Sequence, residues 1–201
     1  MNAANRPLRI VLTGGPGGGK TTAADLFRRE IGDQAVIVPE SATTLFRGGF
    51  PRVTEPAAQR SVQRAIFEVQ RSLEDIQAAV YPDRVLLCDR GTVDGAAYWP
   101  DGPEGFFEQM GSTLEAELSR YDVVLFFETA AVGGIEFEGG NRYRIESNDE
   151  ALDLDRRLRD LWLSHPRFHL VPHSPSFLRK ITVGFAILER VVADHRAREQ
   201  P

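Results

Sequence analysis

Cysteine is nearly absent from this chain of 201 residues, Cys88 being the one copy. No internal disulfide can form, and a reducing cytoplasm is the expected setting. Lysine is almost as scarce: Lys20 and Lys180 are the two among 24 basic residues. Basic charge is in deficit overall, with a net charge of -5 and a pI near 5.5. No basic tract stands out either, which argues against nucleic acid as a partner. No apolar run approaches the roughly 20 residues that a membrane span needs. Met1 to Arg9 carries no apolar signal region. Internal repeats and a second-domain linker are also missing, so residues 1–201 are expected to form one domain with flexible tails at 1–7 and 196–201. What remains is ordinary for a globular protein, 42% hydrophobic and 26% charged, at a length able to enclose a sizeable core.

The one densely informative stretch follows the short apolar run Arg9 to Thr13. Gly14, Gly15, Pro16, Gly17, Gly18, Gly19, Lys20, Thr21 and Thr22 satisfy the phosphate-loop pattern, a glycine, four intervening residues, then Gly-Lys-Thr. Its context matches as well. The run before it reads as a buried strand, and Leu26, Phe27 and Ile31 after it fall near one face of a helix. In such a loop successive backbone N–H groups curl toward phosphate oxygens, and the helix starting near Lys20 adds its positive end. Lys20 is expected to reach the β- and γ-phosphates of a nucleoside triphosphate, and the Thr21 hydroxyl to ligate Mg²⁺.

Strands and helices then alternate. Ala35–Pro39, Val85–Asp89, Val123–Phe127 and Phe168–Val171 are apolar runs of strand length. Between them, helices are expected over Ser41–Arg47, over Glu55–Val80 with the stripe Val62, Ile66, Val69, Leu73, Ile76 and Val80, near Gly91–Trp99, and over Glu104–Arg120. Ser147 and Glu150 form a capping box for a further helix, with Leu154, Leu158, Leu161 and Trp162 on one face, and a last helix starts at Ser176. The glycine-rich segment from Gly133 to Arg144 reads as a mobile flap, with the lid as a whole at about 130–146. The alternation predicts an α/β fold with a five-stranded parallel sheet covered on both faces, three layers in all. Ligands of such sheets lie beyond the carboxyl ends of the strands, where Glu40, Asp89 and Glu128 fall.

Asp89 closes an apolar strand, the position from which an acidic group helps to hold Mg²⁺ on a phosphate loop. Its plainer reading is a helix-capping aspartate. Arg90 is placed to contact a phosphoryl group or the acceptor, since arginine pairs bidentately with phosphate. Glu40 is the candidate general base for an in-line acceptor hydroxyl, or else a capping or salt-bridged glutamate. Glu128 reads as structural. Arg142 and Arg144, two apart in the flap, share one side of an extended segment. They could close over the phosphates or stand as a solvated pair. Arg47, Phe50, Arg52, Tyr98 and Trp99 are candidates for lining an acceptor pocket, with core packing as the plainer reading of Tyr98 and Trp99. His165 and His173 have no metal-ligand spacing and read as structural.

Taken together, Gly14 to Thr22, Pro39-Glu40, Asp89-Arg90-Gly91 with Asp94-Gly95, Asn141-Arg142 to Glu146, and Trp162 to Phe168 give the chain a family likeness. It resembles the small AAA-like ATP/GTP-binding phosphate-loop family that groups the nicotinamide riboside kinase domain of NadR with the GTP-binding domain of a TRPL translocation-defect protein. More distantly it is similar to nucleoside and nucleoside-monophosphate kinases. The resemblance implies a phosphate-loop NTPase fold with an arginine-bearing lid. It also implies a carboxylate base after the second strand, here Glu40, and an acidic-arginine pair after the third, here Asp89-Arg90. Lid arginines map loosely onto Arg142 and Arg144. In the related kinases proline often follows the base, whereas Ser41 does here.

Two functions follow as expectations. One is a kinase that moves the γ-phosphoryl of ATP or GTP, as co-substrate with Mg²⁺, to a hydroxyl of a small, nucleoside-like molecule. The other is a slowly hydrolysing nucleotide switch acting through a protein or lipid partner. The scarcity of lysine argues against a Ras-like switch, because neither Lys20 nor Lys180 follows an asparagine and the guanine-specifying N-K-x-D sequence cannot occur, which leaves guanine binding by other means open.

Overall fold

The computed structural model describes residues 6–133 and 148–199. Five strands, β1 (Arg9–Thr13), β2 (Ala35–Val38), β3 (Val85–Asp89), β4 (Val123–Phe127) and β5 (Phe168–Val171), form a single sheet in the order β2-β3-β1-β4-β5. Every pairing is parallel. The strands are continuous apolar runs because both faces are covered. Ile10, Leu12, Leu87, Val123, Leu125 and Phe127 face one core cluster, shared with helices α1 (Lys20–Ile31) and α7 (Phe177–Glu199). Val11, Leu86, Cys88, Val124 and Phe126 face the other. That second cluster is closed by α3 (Pro56–Val80), α4 (Pro103–Gln109), α5 (Leu114–Leu118) and α6 (Asn148–Trp162). A short α2 (Ser41–Arg47) follows β2. Among the described residues no helix is long and apolar enough to cross a membrane.

Three expectations change. The single helix over Glu104–Arg120 is two, because Gly111 takes φ 61 and Thr113 then caps a fresh start by accepting the Ala116 N–H. The segment after β3 is a 3-10 helix, Thr92–Tyr98. The long helix α3 does form, begun at Pro56 with the Glu55 side chain accepting the Ala58 N–H at 2.7 Å. Its buried face is nevertheless rotated away from the apolar stripe. Val62, Gln63, Phe67, Gln70 and Glu74 are buried, while Ile76 and Val80 are more than half exposed. The apolar period alone could not place this face, since the helix buries polar groups that serve partners elsewhere in the fold. The expected lid overlaps a short 3-10 turn, Ala130–Gly133. Its remainder, with Arg142 and Arg144, lies outside the described residues, as does Ser147 of the expected capping box.

The parallel order puts the carboxyl ends of β1, β2 and β3 side by side. The phosphate loop follows β1, Glu40 follows β2, and Asp89 ends β3. Register does the rest: Leu12 pairs with Asp89, and Val38 pairs with Cys88.

Candidate active site

The loop's glycines are required by contact as well as by conformation. Gly14 has φ 126, and a Cβ there would sit 2.1 Å from the Phe127 carbonyl oxygen. Gly19, which leads into α1, has φ 85 in the left-handed region. The loop is held from the other side by α6, where Asp155 Oδ1 accepts the Gly15 N–H at 2.8 Å and the Thr129 N–H at 2.9 Å. Burial pushes the Asp155 carboxyl above its ordinary range, and the two backbone donors oppose that. Lys20, only 5% exposed, lies over the loop and donates from Nζ to the carbonyls of Gly14 at 2.8 Å and Gly15 at 2.7 Å. Thr21 Oγ1 donates to Asp89 Oδ2 at 2.7 Å.

Asp89 Oδ1 is buried and has no hydrogen-bond partner. Burial raises the Asp89 carboxyl, and the nearby negative charge of Glu40 raises it further, against the pull of Thr21, Lys20 and Arg90. A buried carboxylate oxygen without a donor carries a cost that a cation removes. Thr21 Oγ and Asp89 therefore fit Mg²⁺, whose other ligands on a phosphate loop are phosphate oxygens and water. Among the described residues no group of three or more His, Cys, Asp or Glu side chains could hold a metal on its own.

Arg90 stands next to Asp89 in a left-handed conformation, φ 76, the one non-glycine residue with positive φ among those described. That strain is of the order of 1–2 kcal/mol, and it aims the guanidinium back across the strand ends. Nε donates to Glu40 Oε1 at 2.7 Å, and Nη1 to Asp94 Oδ2 at 3.1 Å and the Gly14 carbonyl at 3.3 Å. Burial alone would lower the Arg90 guanidinium, but Tyr98, Glu40, Asp94 and Asp89 overcome it and keep the group charged. Asp94 in turn is 4% exposed and accepts from Thr13 Oγ1 at 2.8 Å and Trp162 Nε1 at 2.7 Å. Burial works against the Glu40 carboxylate as well. Arg90, the Thr43 hydroxyl and Lys20 outweigh that and hold it below its ordinary value of 4.5.

A cavity of about 220 Å³ opens beside the loop, lined by Pro16, Glu40, Arg90 and Asp94 on one side and by residues of α2 and α3 on the other. Of the residues expected to line an acceptor pocket, Arg52 and Tyr98 do so; Arg47, Phe50 and Trp99 do not. Trp99 instead packs edge-on against Phe106 in the core at 5.5 Å. Phe46, Gln63, Ile66 and Phe67 take their places. Glu128 accepts the His173 N–H at 2.8 Å, and the ring of His165 is 5% exposed and meets the Tyr121 carbonyl at 3.0 Å.

Asp94, Asp155 and Gln63 were missed as site residues by sequence reasoning. A signal existed for Asp155: it shares a helix face with Leu158 and Trp162, and an acidic residue on an apolar face needs buried donors. For Gln63 the apolar stripe of α3 pointed elsewhere.

An AAA domain family model matches residues 9–175, from β1 through the loop after β5. The chain belongs to this AAA domain family. Its fold is also that of deoxyadenosine kinase from M. mycoides, solved with bound dATP. The likeness has a TM-score of 0.60 over 90% of this chain and 99% of that one, at 12% identity. At that identity it shows the fold alone, a phosphate-loop α/β fold with the five-stranded parallel sheet expected from the sequence. No curated protein matches the chain by sequence.

The second lysine of the chain also lies near this AAA-domain loop. Lys180, 4% exposed, donates from Nζ to the Glu128 carbonyl. Burial lowers its ammonium from 10.5 to about 8, against the pull of Asp155 and Glu128. A buried base with a lowered folded pKa opposes folding fully below about 8, and that opposition fades as pH rises through the window to 10.5. Stability to urea is expected to rise over this window relative to Lys180→Met, in which that component is absent. A parallel pH dependence in the two proteins would overturn the assignment.

Proposed function

We propose that this protein is a phosphotransferase that moves the γ-phosphoryl group of ATP or GTP to a hydroxyl of a small, nucleoside-like acceptor. The observation that carries the reading is the cavity beside the phosphate loop, with the Glu40 carboxylate and the Arg90 guanidinium on its wall. A nucleotide switch has no need of a second cavity there.

The triphosphate would lie on the loop N–H groups with Lys20 on its outer phosphates. Thr21 and Asp89 would hold Mg²⁺, which supplies neutralisation of charge on the phosphate oxygens. Glu40 would accept the proton of the acceptor hydroxyl as its oxygen bonds to the γ-phosphorus. The bond from that phosphorus to the bridging oxygen breaks, and the nucleoside diphosphate leaves. Both Glu40 oxygens already accept one bond, from Arg90 and from Thr43, but a carboxylate has about four acceptor sites in all and retains capacity for the proton. Its lowered pKa keeps it ionised at neutral pH, as a base must be. Arg90, between Glu40 and the Gly14 carbonyl, would orient the base toward the loop and stabilise charge spreading over the transferring group.

The acceptor's character follows from the cavity walls. Phe46, Phe67 and Tyr98 offer aromatic surface, and Gln63 offers both an amide donor and an amide acceptor. A flat ring with a hydrogen-bonding edge, joined to a hydroxyl-bearing sugar, matches that combination. The order of motifs that resembles nicotinamide riboside kinase supports the same class.

The direct test incubates the protein with γ-labelled ATP or GTP, Mg²⁺ and a panel of nucleosides, nicotinamide riboside and simple sugars. Labelled phosphate in a nucleoside-like product is expected. Hydrolysis to inorganic phosphate at a rate independent of every acceptor would replace this reading with the nucleotide switch.

A further inference from the structure

The Glu40–Arg90 pair is joined across two strands, and neither residue is placed by its own element alone. Glu40 is the non-helical residue before α2, with φ -59 and ψ 114. Arg90 is in the strained left-handed conformation. Behind both lies one side chain of α3. Gln70, 2% exposed, accepts the Ser41 N–H on Oε1 at 3.4 Å and donates from Nε2 to the Arg90 carbonyl at 3.2 Å. The backbone directly after Glu40 and the backbone of Arg90 are thus strapped together through a single amide.

Which way that amide faces is decided further back. Gln70 Nε2 also donates to Glu74 Oε1 at 3.2 Å. Reversed, the amide would set its oxygen against two acceptors, the Glu74 carboxylate and the Arg90 carbonyl. Glu74 is completely buried and pinned on both oxygens, accepting the Tyr121 hydroxyl on Oε1 at 2.6 Å and Arg120 Nη2 on Oε2 at 2.8 Å. The Tyr121 hydroxyl itself accepts the Thr92 N–H at 2.7 Å, which ties in the chain two residues beyond Arg90. Placing this polar network inside a helix–sheet interface, where apolar packing would serve stability as well or better, is accounted for by what it orients.

We propose that Gln70 is a positioning residue. Its amide, aligned by Glu74 and Tyr121, sets the register between the carboxylate of Glu40 and the guanidinium of Arg90. The catalytic consequence rests on the reading of Glu40 as the base; the structural consequence does not. The strap is the bond on the Arg90 carbonyl, beside the Arg90 N–H to the Leu12 carbonyl and the side-chain bonds to Glu40, Asp94 and Gly14. Its loss frees that end of the left-handed turn, and a misplacement of about 1 Å at a reacting group costs on the order of 10²-fold in rate.

The test reads the Arg90 Nε–H resonance in the ¹⁵N-labelled full chain without nucleotide or acceptor, assigned by its loss in Arg90→Lys. In Gln70→Met this proton is expected to exchange with solvent at least about tenfold faster, as for loss of one charge-assisted hydrogen bond. Thermal denaturation reports folding. Should Gln70→Met fail to fold, the uncharged Gln70→Leu is read in its place. It loses both the acceptor for Ser41 and the donor to Arg90, and is expected to show the same acceleration. Unchanged Arg90 exchange in a folded Gln70 variant overturns the proposal, because a side chain that only adds stability would lower the melting temperature and leave this resonance alone. Once an acceptor is known, phosphoryl transfer in the same variant is expected to slow about 10²-fold with the donor KM unchanged. Full transfer in Glu40→Gln would remove the base reading and leave the exchange result to stand or fall by itself.

Discussion

Lys20→Ala is expected to abolish phosphoryl transfer and to weaken ATP or GTP binding by about 10- to 10²-fold or more, with the domain still folded. Lys20 is the ammonium over the loop, 5% exposed and directed at the Gly14 and Gly15 carbonyls. Hydrogen bonds to charged partners are each worth about 1.5–3 kcal/mol, and in the proposed complex the ammonium would make more than one to phosphate oxygens. The loop itself does not depend on the lysine alone, because Asp155 holds Gly15 from α6 and Phe127 backs Gly14. Nucleotide titration calorimetry beside thermal denaturation separates the two effects. Undiminished affinity in a folded Lys20→Ala protein would mean that triphosphate does not sit on this loop.

Glu40→Gln is the sharper experiment on the chemistry. It is expected to leave nucleotide affinity intact and to slow transfer by about 10²–10⁴-fold, the usual effect of removing a general base. Glutamine preserves the size of the side chain and an oxygen for Arg90, so geometry is disturbed little. The pH profile carries a second signature. Arg90, Thr43 and Lys20 outweigh burial and hold the carboxyl below its ordinary 4.5, so the acidic limb of transfer is expected below that value and should vanish in Glu40→Gln. Stability follows the same group. With a folded pKa beneath the unfolded one, Glu40 contributes stability that is present above about 4.5 and lost as pH falls through the lower folded value. Unchanged turnover in Glu40→Gln would make the carboxylate a partner for Arg90 and nothing more.

Legibility in the sequence was uneven for physical reasons. The loop from Gly14 to Thr22 was readable because its pattern is contiguous in the chain: glycines where φ is positive, at Gly14, Gly17 and Gly19, a lysine at its end, a strand before and a helix after. The sheet was readable because strands buried on both faces are apolar without interruption. The break at Gly111 was missed because a glycine within a helical stretch only lowers helix propensity by about 1 kcal/mol relative to alanine, and whether it ends the helix depends on the packing around it. The acceptor side was the least legible. Trp99 had two readings, pocket wall or core, and packing decided for the core, whereas Gln63 carried no signal, since a glutamine on a long helix is ordinary until one sees what it faces.

By itself, then, the sequence determined the phosphate loop, the alternating strands and helices, and the appearance of Glu40 and Asp89-Arg90 at strand ends. Short-range chemistry and the periodicity of burial suffice for all three. The tertiary structure alone decided that Arg90 turns back through a left-handed φ to meet Glu40. It alone decided that Asp155 and Trp162, two turns apart on α6, hold Gly15 and Asp94, and that Gln70 straps Ser41 to Arg90. Each of these pairs residues far apart in the chain. Polar contacts of that kind have no period, and only the packing of helices against the sheet brings them within hydrogen-bond reach.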